Sequence, residues 1–188
     1  MKTKAAILRA PQTDWEVVEL ELDAPRENEV LIRFVAAGLC HSDEHMRTGD
    51  MPARYPIIGG HEGAGVIEEV GPGVTRVKKG DNVVCSFIPS CGKCRFCSTG
   101  QQNLCDMGAT ILEGKMPDGT FRYHLGDEEL GGLCLLGSFP SGAWSQSSRS
   151  CRWTRTCRWR RPCWSGAACR PGGAPRSTRP ACGRARRS

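Results

Sequence analysis

No stretch of this 188-residue sequence holds about 18 consecutive apolar side chains, the length a membrane-crossing helix needs. The opening MKTKAAILRA carries basic residues but no apolar run of signal-peptide length. Both absences predict a cytosolic, reducing setting, where clustered cysteines more often hold metal than form disulfides. A strand–GxGxxG–helix unit is missing as well, which excludes a dinucleotide-binding domain in this reading frame. Residues 1–139 show no internal repeat, so a repeat architecture is excluded there. The last absence is of one charge sign: from Pro140 to Ser188 there are 12 Arg, no Lys, and no Asp or Glu.

The formal net charge of +6 therefore averages two compositions. Residues 1–139 hold 14 basic and 20 acidic side chains, a net of −6. Cysteine divides 7 before Pro140 and 5 after, and tryptophan 1 before and 4 after. An acidic, ordinarily patterned body is joined to an arginine-rich tail.

In the body, residues 3–9, 16–21 and EVLIRFVAAG at 29–38 are short β-branched or alternating runs, separated by Pro, Asp and Asn, and read as strands. SDEHMRTGD at 42–50 has Ser42 as N-cap, early acids and a closing glycine, which predicts one or two helical turns. GAGVIEEVGPGVTRVKKGDNVVCSF then predicts strand, Gly-Pro-Gly turn, strand, Lys-Gly-Asp turn and strand. The expected fold is mainly β (α+β), a partly open barrel with little helix.

CGKCRFCSTGQQNLC places Cys91, Cys94, Cys97 and Cys105 at spacings of three, three and eight. Zinc takes four thiolates in a tetrahedron, and Cys-x-x-Cys steps bring two sulfurs to one ion. Four protein ligands leave no open position, so such a site is structural; an iron–sulfur cluster is the competing metal for these spacings. A second group lies upstream. GLCHSDEH and GGHEGAG carry Cys40, Ser42, His45, His61 and Glu62, a thiolate, two imidazoles, a hydroxyl and a carboxylate that together suggest a metal site with a proton path.

GHEGAGVIEEVGPGV, residues 60–74, matches without a break the GHExxGxxxxxGxxV signature of the zinc-dependent alcohol dehydrogenases, and the four-cysteine lobe follows at that family's distance. Residues 1–139 resemble the first stretch of the GroES-like catalytic domain of this medium-chain dehydrogenase/reductase family, in its actinobacterial NDMA-dependent branch. The resemblance implies an oxidoreductase passing hydride from an alcohol to a nicotinamide cofactor, NAD or NADP, in the cytoplasm. It implies zinc at Cys91, Cys94, Cys97 and Cys105, and Cys40 and His61 as catalytic zinc ligands with Glu62 beside the ion. Asp43 is then hydrogen-bonded to His61, Ser42 takes the alcohol proton, His45 passes it outward, and His41 meets the cofactor pyrophosphate. The partners implied are a small-molecule alcohol or aldehyde and further copies of the parent enzyme, with no membrane and no specific nucleic acid. A second catalytic cysteine, which the family carries in a GCG stretch, has no counterpart after Cys134.

The tail explains that gap. Tryptophan has a single codon and cysteine two, so joining the last base of each codon to the first two of the next constrains the alternative frame. Trp153–Thr154 then must read Asp, Cys163–Trp164 must read Leu, and Pro162–Cys163 and Ala168–Cys169 each give Leu, Val or Met. The shifted frame can spell a continuation resembling the family, including GCG. We therefore expect 1–139 to be an incomplete, truncated catalytic domain and 140–188 a disordered, out-of-frame tail. The rival is a non-enzymatic zinc-stabilised module whose arginines and tryptophans bind nucleic acid.

Overall fold

The computed structural model describes residues 1–140 with their side chains, and the backbone strands at 142–146 and 150–152. Lys2–Leu8 (β1) buries alternate residues, with Thr3, Ala5 and Ile7 turned inward, as a two-residue repeat dictates. It pairs antiparallel with Glu16–Leu22 (β2). Glu29–Ala37 (β3) is buried along its first four residues and largely exposed beyond them. His41–Thr48 (α1) follows at once, then Ile57–Ile58 (β4), Gly63–Val70 (β5), Asn82–Cys85 (β6) and the single turn Arg95–Ser98 (α2). Tyr123–Leu125 (β7) and Glu128–Gly132 (β8) form a hairpin, and Gly142–Gln146 (β9) and Ser150–Arg152 (β10) are the last strands described.

Five strands close a barrel in the order β1-β2-β7-β8-β4, and five more form a sheet in the order β10-β6-β5-β3-β9. Apolar residues of both share the interior: Ala5, Ile7, Leu20, Leu22, Ile58, Tyr123 and Leu130 in one cluster, Val30, Ile32, Ile67, Val83 and Leu136 in another. This mainly-β architecture agrees with the expected class. Among the described residues no helix is long and apolar enough to cross a membrane.

Two expectations are corrected. The strand expected between the Gly-Pro-Gly and Lys-Gly-Asp turns does not form; the segment is irregular, although Val74 and Val77 pack onto the second cluster. Its polar groups go elsewhere: Lys78 N donates to Asp81 Oδ2 at 3.1 Å, and Gly80 N reaches back to Ile67 O at 2.8 Å, so no ladder partner is left for it. The N-cap of α1 is Cys40 rather than Ser42. Asp43 Oδ2 accepts the Cys40 amide at 3.3 Å, so an aspartate three residues on closes the helix start, and Gly49 at φ 89° ends it.

β9 pairs with β3 and β10 with β6, both past the expected domain boundary at residue 139. Ladder bonds use only backbone groups, so a sheet edge accepts strands of varied sequence. The rest of the expected tail, and with it the nucleic-acid-binding alternative, lies outside the described residues.

Candidate metal centres

The lobe is built on backbone amides aimed at sulfur. Cys94 caps α2, with its Sγ accepting from Cys97 N at 3.4 Å. Cys94 N donates to Cys91 Sγ at 3.3 Å and Cys91 N to Cys105 Sγ at 3.4 Å. The four sulfurs lie within 4.8 Å of one another, and Cys91–Cys97 and Cys94–Cys105 each span 4.0 Å. A zinc tetrathiolate with bonds of about 2.3 Å has sulfurs roughly 3.8 Å apart, so the cage fits that ion; a disulfide would need about 2.05 Å. Amides of Asp106 and Cys97 bring the Cys94 thiol down to about 6, which favours the thiolate that binds metal. Burial holds the Cys105 thiol above its ordinary value, and a coordinated cation offsets that cost.

The second centre joins two turns distant in sequence. Cys40 lies three residues past the end of β3 and caps α1; His61 follows Gly59 and Gly60 at the entry to β5. One donor atom each from Cys40, His61 and Glu62 lies within 4.8 Å of the others. Asp43, 5% exposed, accepts from Gly60 N at 2.9 Å through Oδ1, and that oxygen sits 3.6 Å from His61 Nδ1. Asp43 raises the His61 pKa against the opposing effect of burial. Hydrogen bonding by Ser42, with its hydroxyl 3.4 Å from the sulfur, lowers the Cys40 thiol. His61 Nδ1 is the buried side-chain polar atom left without a hydrogen bond among the described residues. Nδ1 faces Asp43, which leaves Nε2 for a cation, and with the lowered Cys40 thiol this makes a donor set suited to a borderline-soft cation such as Zn²⁺.

The remaining expected residues fall on α1. His41 is exposed at its first turn, with its ring centroid 4.7 Å from that of His45. His45 is half in solvent and its Nδ1 lies 3.5 Å from Asp50 Oδ2. Ser42 turns towards Cys40, and no direct Ser42–His45 hydrogen bond occurs among the described residues.

Cys40 and Asp43 open onto a cleft of about 720 Å³ walled by Trp15, Phe34, Leu39, Ser138 and Phe139. Sequence reasoning did not find these walls. Trp15 and Phe139 meet edge to face at 5.7 Å, and a Cβ on Gly59 would lie 2.5 Å from the Trp15 ring and 2.7 Å from Phe139. A Cβ on Gly38 would lie 2.1 Å from Glu62 Oε2, so this glycine makes room for the carboxylate. Phe87 stands 5.9 Å from the His61 ring. The paired glycines before His61 are the one local sign of this close approach, and nothing local tells what approaches.

The alcohol dehydrogenase GroES-like domain family matches residues 26–140. The NDMA-dependent alcohol dehydrogenase of Amycolatopsis methanolica is 66% identical over 139 residues, 74% of this chain and 38% of that protein. Putative alcohol dehydrogenase D of Mycobacterium tuberculosis is 64% identical over the same share of each. Among solved structures, an alcohol dehydrogenase zinc-binding domain protein from Burkholderia ambifaria superposes with a TM-score of 0.78 at 33% identity, covering 83% of this chain and 43% of that one. Benzyl alcohol dehydrogenase from Acinetobacter calcoaceticus gives 0.77 at 31% identity, covering 84% and 42%. The chain spans 38% of the length of these two curated relatives. With its barrel, its four-cysteine cage and its Cys40–His61 pair, the chain belongs to the alcohol dehydrogenase GroES-like domain family.

Proposed function

We propose that these residues form the front part of the catalytic domain of a zinc-dependent dehydrogenase that oxidises a small-molecule alcohol to an aldehyde or ketone, and that this 188-residue chain alone is inactive. The observation that carries the reading is the convergence of Cys40, His61 and Glu62 within 4.8 Å, with Cys40 lining a cleft of about 720 Å³, apart from a separate cage of four sulfurs. One group would surround an ion with four sulfurs; the other has Cys40 bordering space that a substrate could enter.

Cys40 and His61 would hold the ion, with Glu62 as third donor, and Asp43 fixes the imidazole and the Gly60 peptide that presents it. A zinc held there supplies Lewis-acid stabilisation of the alkoxide form of the alcohol. Ser42, beside Cys40, is placed to take the alcohol proton, and the half-exposed His45 to release it to solvent. His41, exposed where α1 begins, suits contact with a cofactor phosphate. The hydride acceptor on this reading is NAD or NADP, and the parent works as a cytoplasmic homo-oligomer.

Inactivity follows from two shortfalls at one transition state. No Gly-rich phosphate turn is present to hold a nicotinamide about 3–3.5 Å from the reacting carbon. Glu62 would also have to stand in for the second thiolate that the family carries, and a carboxylate is a harder donor for the same ion. The test assays short-chain and aromatic alcohols with NAD and NADP, using this chain and a version whose frame is restored after Phe139. We expect turnover from the restored version alone. Cofactor-dependent turnover by the 188-residue chain overturns its inactivity, and an inactive restored version overturns the assigned function.

A further inference from the structure

Ser138 lies 76 positions from Glu62 in sequence, yet its Oγ donates to the Glu62 carbonyl at 3.1 Å. Its own N–H donates to the Gly60 carbonyl at 2.9 Å, and the next amide, Phe139, donates to Gly59 O at 3.1 Å. One residue, 1% exposed, therefore holds the carbonyls on both sides of His61. The Glu62 carbonyl accepts a second bond from Gly38 N at 2.9 Å, two residues before Cys40. That shared acceptor ties the Cys40 turn, the His61 turn and the Ser138 segment at one point.

The approach is close enough to dictate residue types. Gly60 has φ +86°, and a Cβ there would lie 2.5 Å from Ser138 Oγ. Ser138 is reached through Cys134 at φ +56°, Leu135 at +54° and Gly137 at +53°, a left-handed path that side chains with a Cβ disfavour. Unfavourable backbone persists only where surrounding contacts over-determine it, and here it delivers a hydroxyl and two amides to the motif.

We propose that Ser138 is a positioning residue for the catalytic metal: its hydroxyl and amide lock the Gly60–Glu62 backbone so that His61 and Cys40 converge on one ion. This rests on the reading of Cys40, His61 and Glu62 as ligands given above. Ser138 is not one of the assigned ligands; it acts through the Gly60 and Glu62 peptides that carry them.

The full 188-residue chain is stripped of metal and titrated with Co²⁺ alone, following thiolate-to-cobalt absorption. Two phases are expected, a tight one from the lobe and a weaker one that His61→Ala abolishes. Ser138→Ala should weaken the second phase about tenfold or more and leave the first unchanged, since residues supporting a ligand typically contribute 10–100-fold to metal affinity. Ser138→Thr, which keeps the hydroxyl, should restore it. A second phase unchanged in Ser138→Ala, or a Ser138→Thr as weak as the alanine, overturns the proposal while leaving the ligands assigned. Two phases indifferent to both His61→Ala and Cys40→Ser overturn the ligand assignment, and this inference falls with it. If Ser138→Ala loses the lobe phase as well, Ser138→Cys decides, because it keeps the volume with a weaker donor: a loosened second phase supports the proposal and an unchanged one overturns it.

Discussion

Replacing Glu29 with alanine removes the partner of the most deeply buried cation among the described residues. Arg122 is 1% and Glu29 3% exposed, and they meet through two contacts, Nη2–Oε1 at 2.6 Å and Nε–Oε2 at 3.0 Å. Burial by itself pushes the guanidinium pKa down, but Glu29 and Asp118 outweigh it and hold the group charged. The substitution also strips the Arg26 amide of its acceptor, Oε2 at 3.1 Å. Orphaning a buried charge costs about 3–5 kcal/mol. Arg122 keeps Asp118 at 2.6 Å and the Phe121 carbonyl at 3.0 Å, which places the expected loss near the lower end, about 3 kcal/mol. At roughly 3–4 °C per kcal/mol for a domain of this size, the melting temperature falls by about 10 °C. Urea unfolding at fixed zinc concentration should show the midpoint shifted with an unchanged slope. The double replacement Glu29→Leu with Arg122→Met removes both charges and should recover most of the loss, as apolar substitutes for buried pairs do. A Glu29→Ala protein within about 1 kcal/mol of the parent, or a double variant no better than the single, would falsify the reasoning.

Three further outcomes are expected. Cys94→Ser should lower bound zinc from about one ion per chain towards none and abolish cooperative unfolding, because binding in a closed cage is coupled to folding; elemental analysis and circular dichroism check it, and iron with a visible thiolate-to-iron band would overturn the zinc assignment. Burial raises the Asp118 carboxyl, but the Thr120 amide, Arg122 and the Thr120 hydroxyl outweigh it and hold it well below its ordinary value of 3.8. A depressed carboxylate stabilises the fold above its unfolded pKa and loses that contribution as pH falls below it. The stability gap between the parent and Asp118→Asn should thus be constant near neutral pH and shrink below pH 3.8; a gap that widens on acidification refutes the sign. Gly38→Ala puts a Cβ on the Glu62 carboxylate and should loosen the weaker cobalt phase, with a stability cost of about 1–3 kcal/mol; an unaltered phase would remove Glu62 from the ligand set.

Whatever depends on neighbours in sequence was legible before the fold. The first three strands fall within a residue or two of their expected limits, because alternation along a strand is local. The lobe was legible for the same reason: its four sulfurs lie within fifteen residues, and the spacing alone lets them share an ion. Cys40 and His61 carried no such spacing, and only the family resemblance joined them. Local reading failed where partners are remote. The run from Val74 to Lys79 has strand-like residues and no strand to pair with, while two- and three-residue strands such as β4 and β7 form because the barrel offers them edges. Tertiary structure alone decided what surrounds the Cys40–His61–Glu62 cluster. Trp15 and Phe139 wall the cleft, Gly38 yields to Glu62, and Ser138 grips the peptides beside His61. Each of these is an encounter between segments far apart along the chain. A sequence states which residue is present, but closing the barrel decides which distant backbone carbonyl it meets.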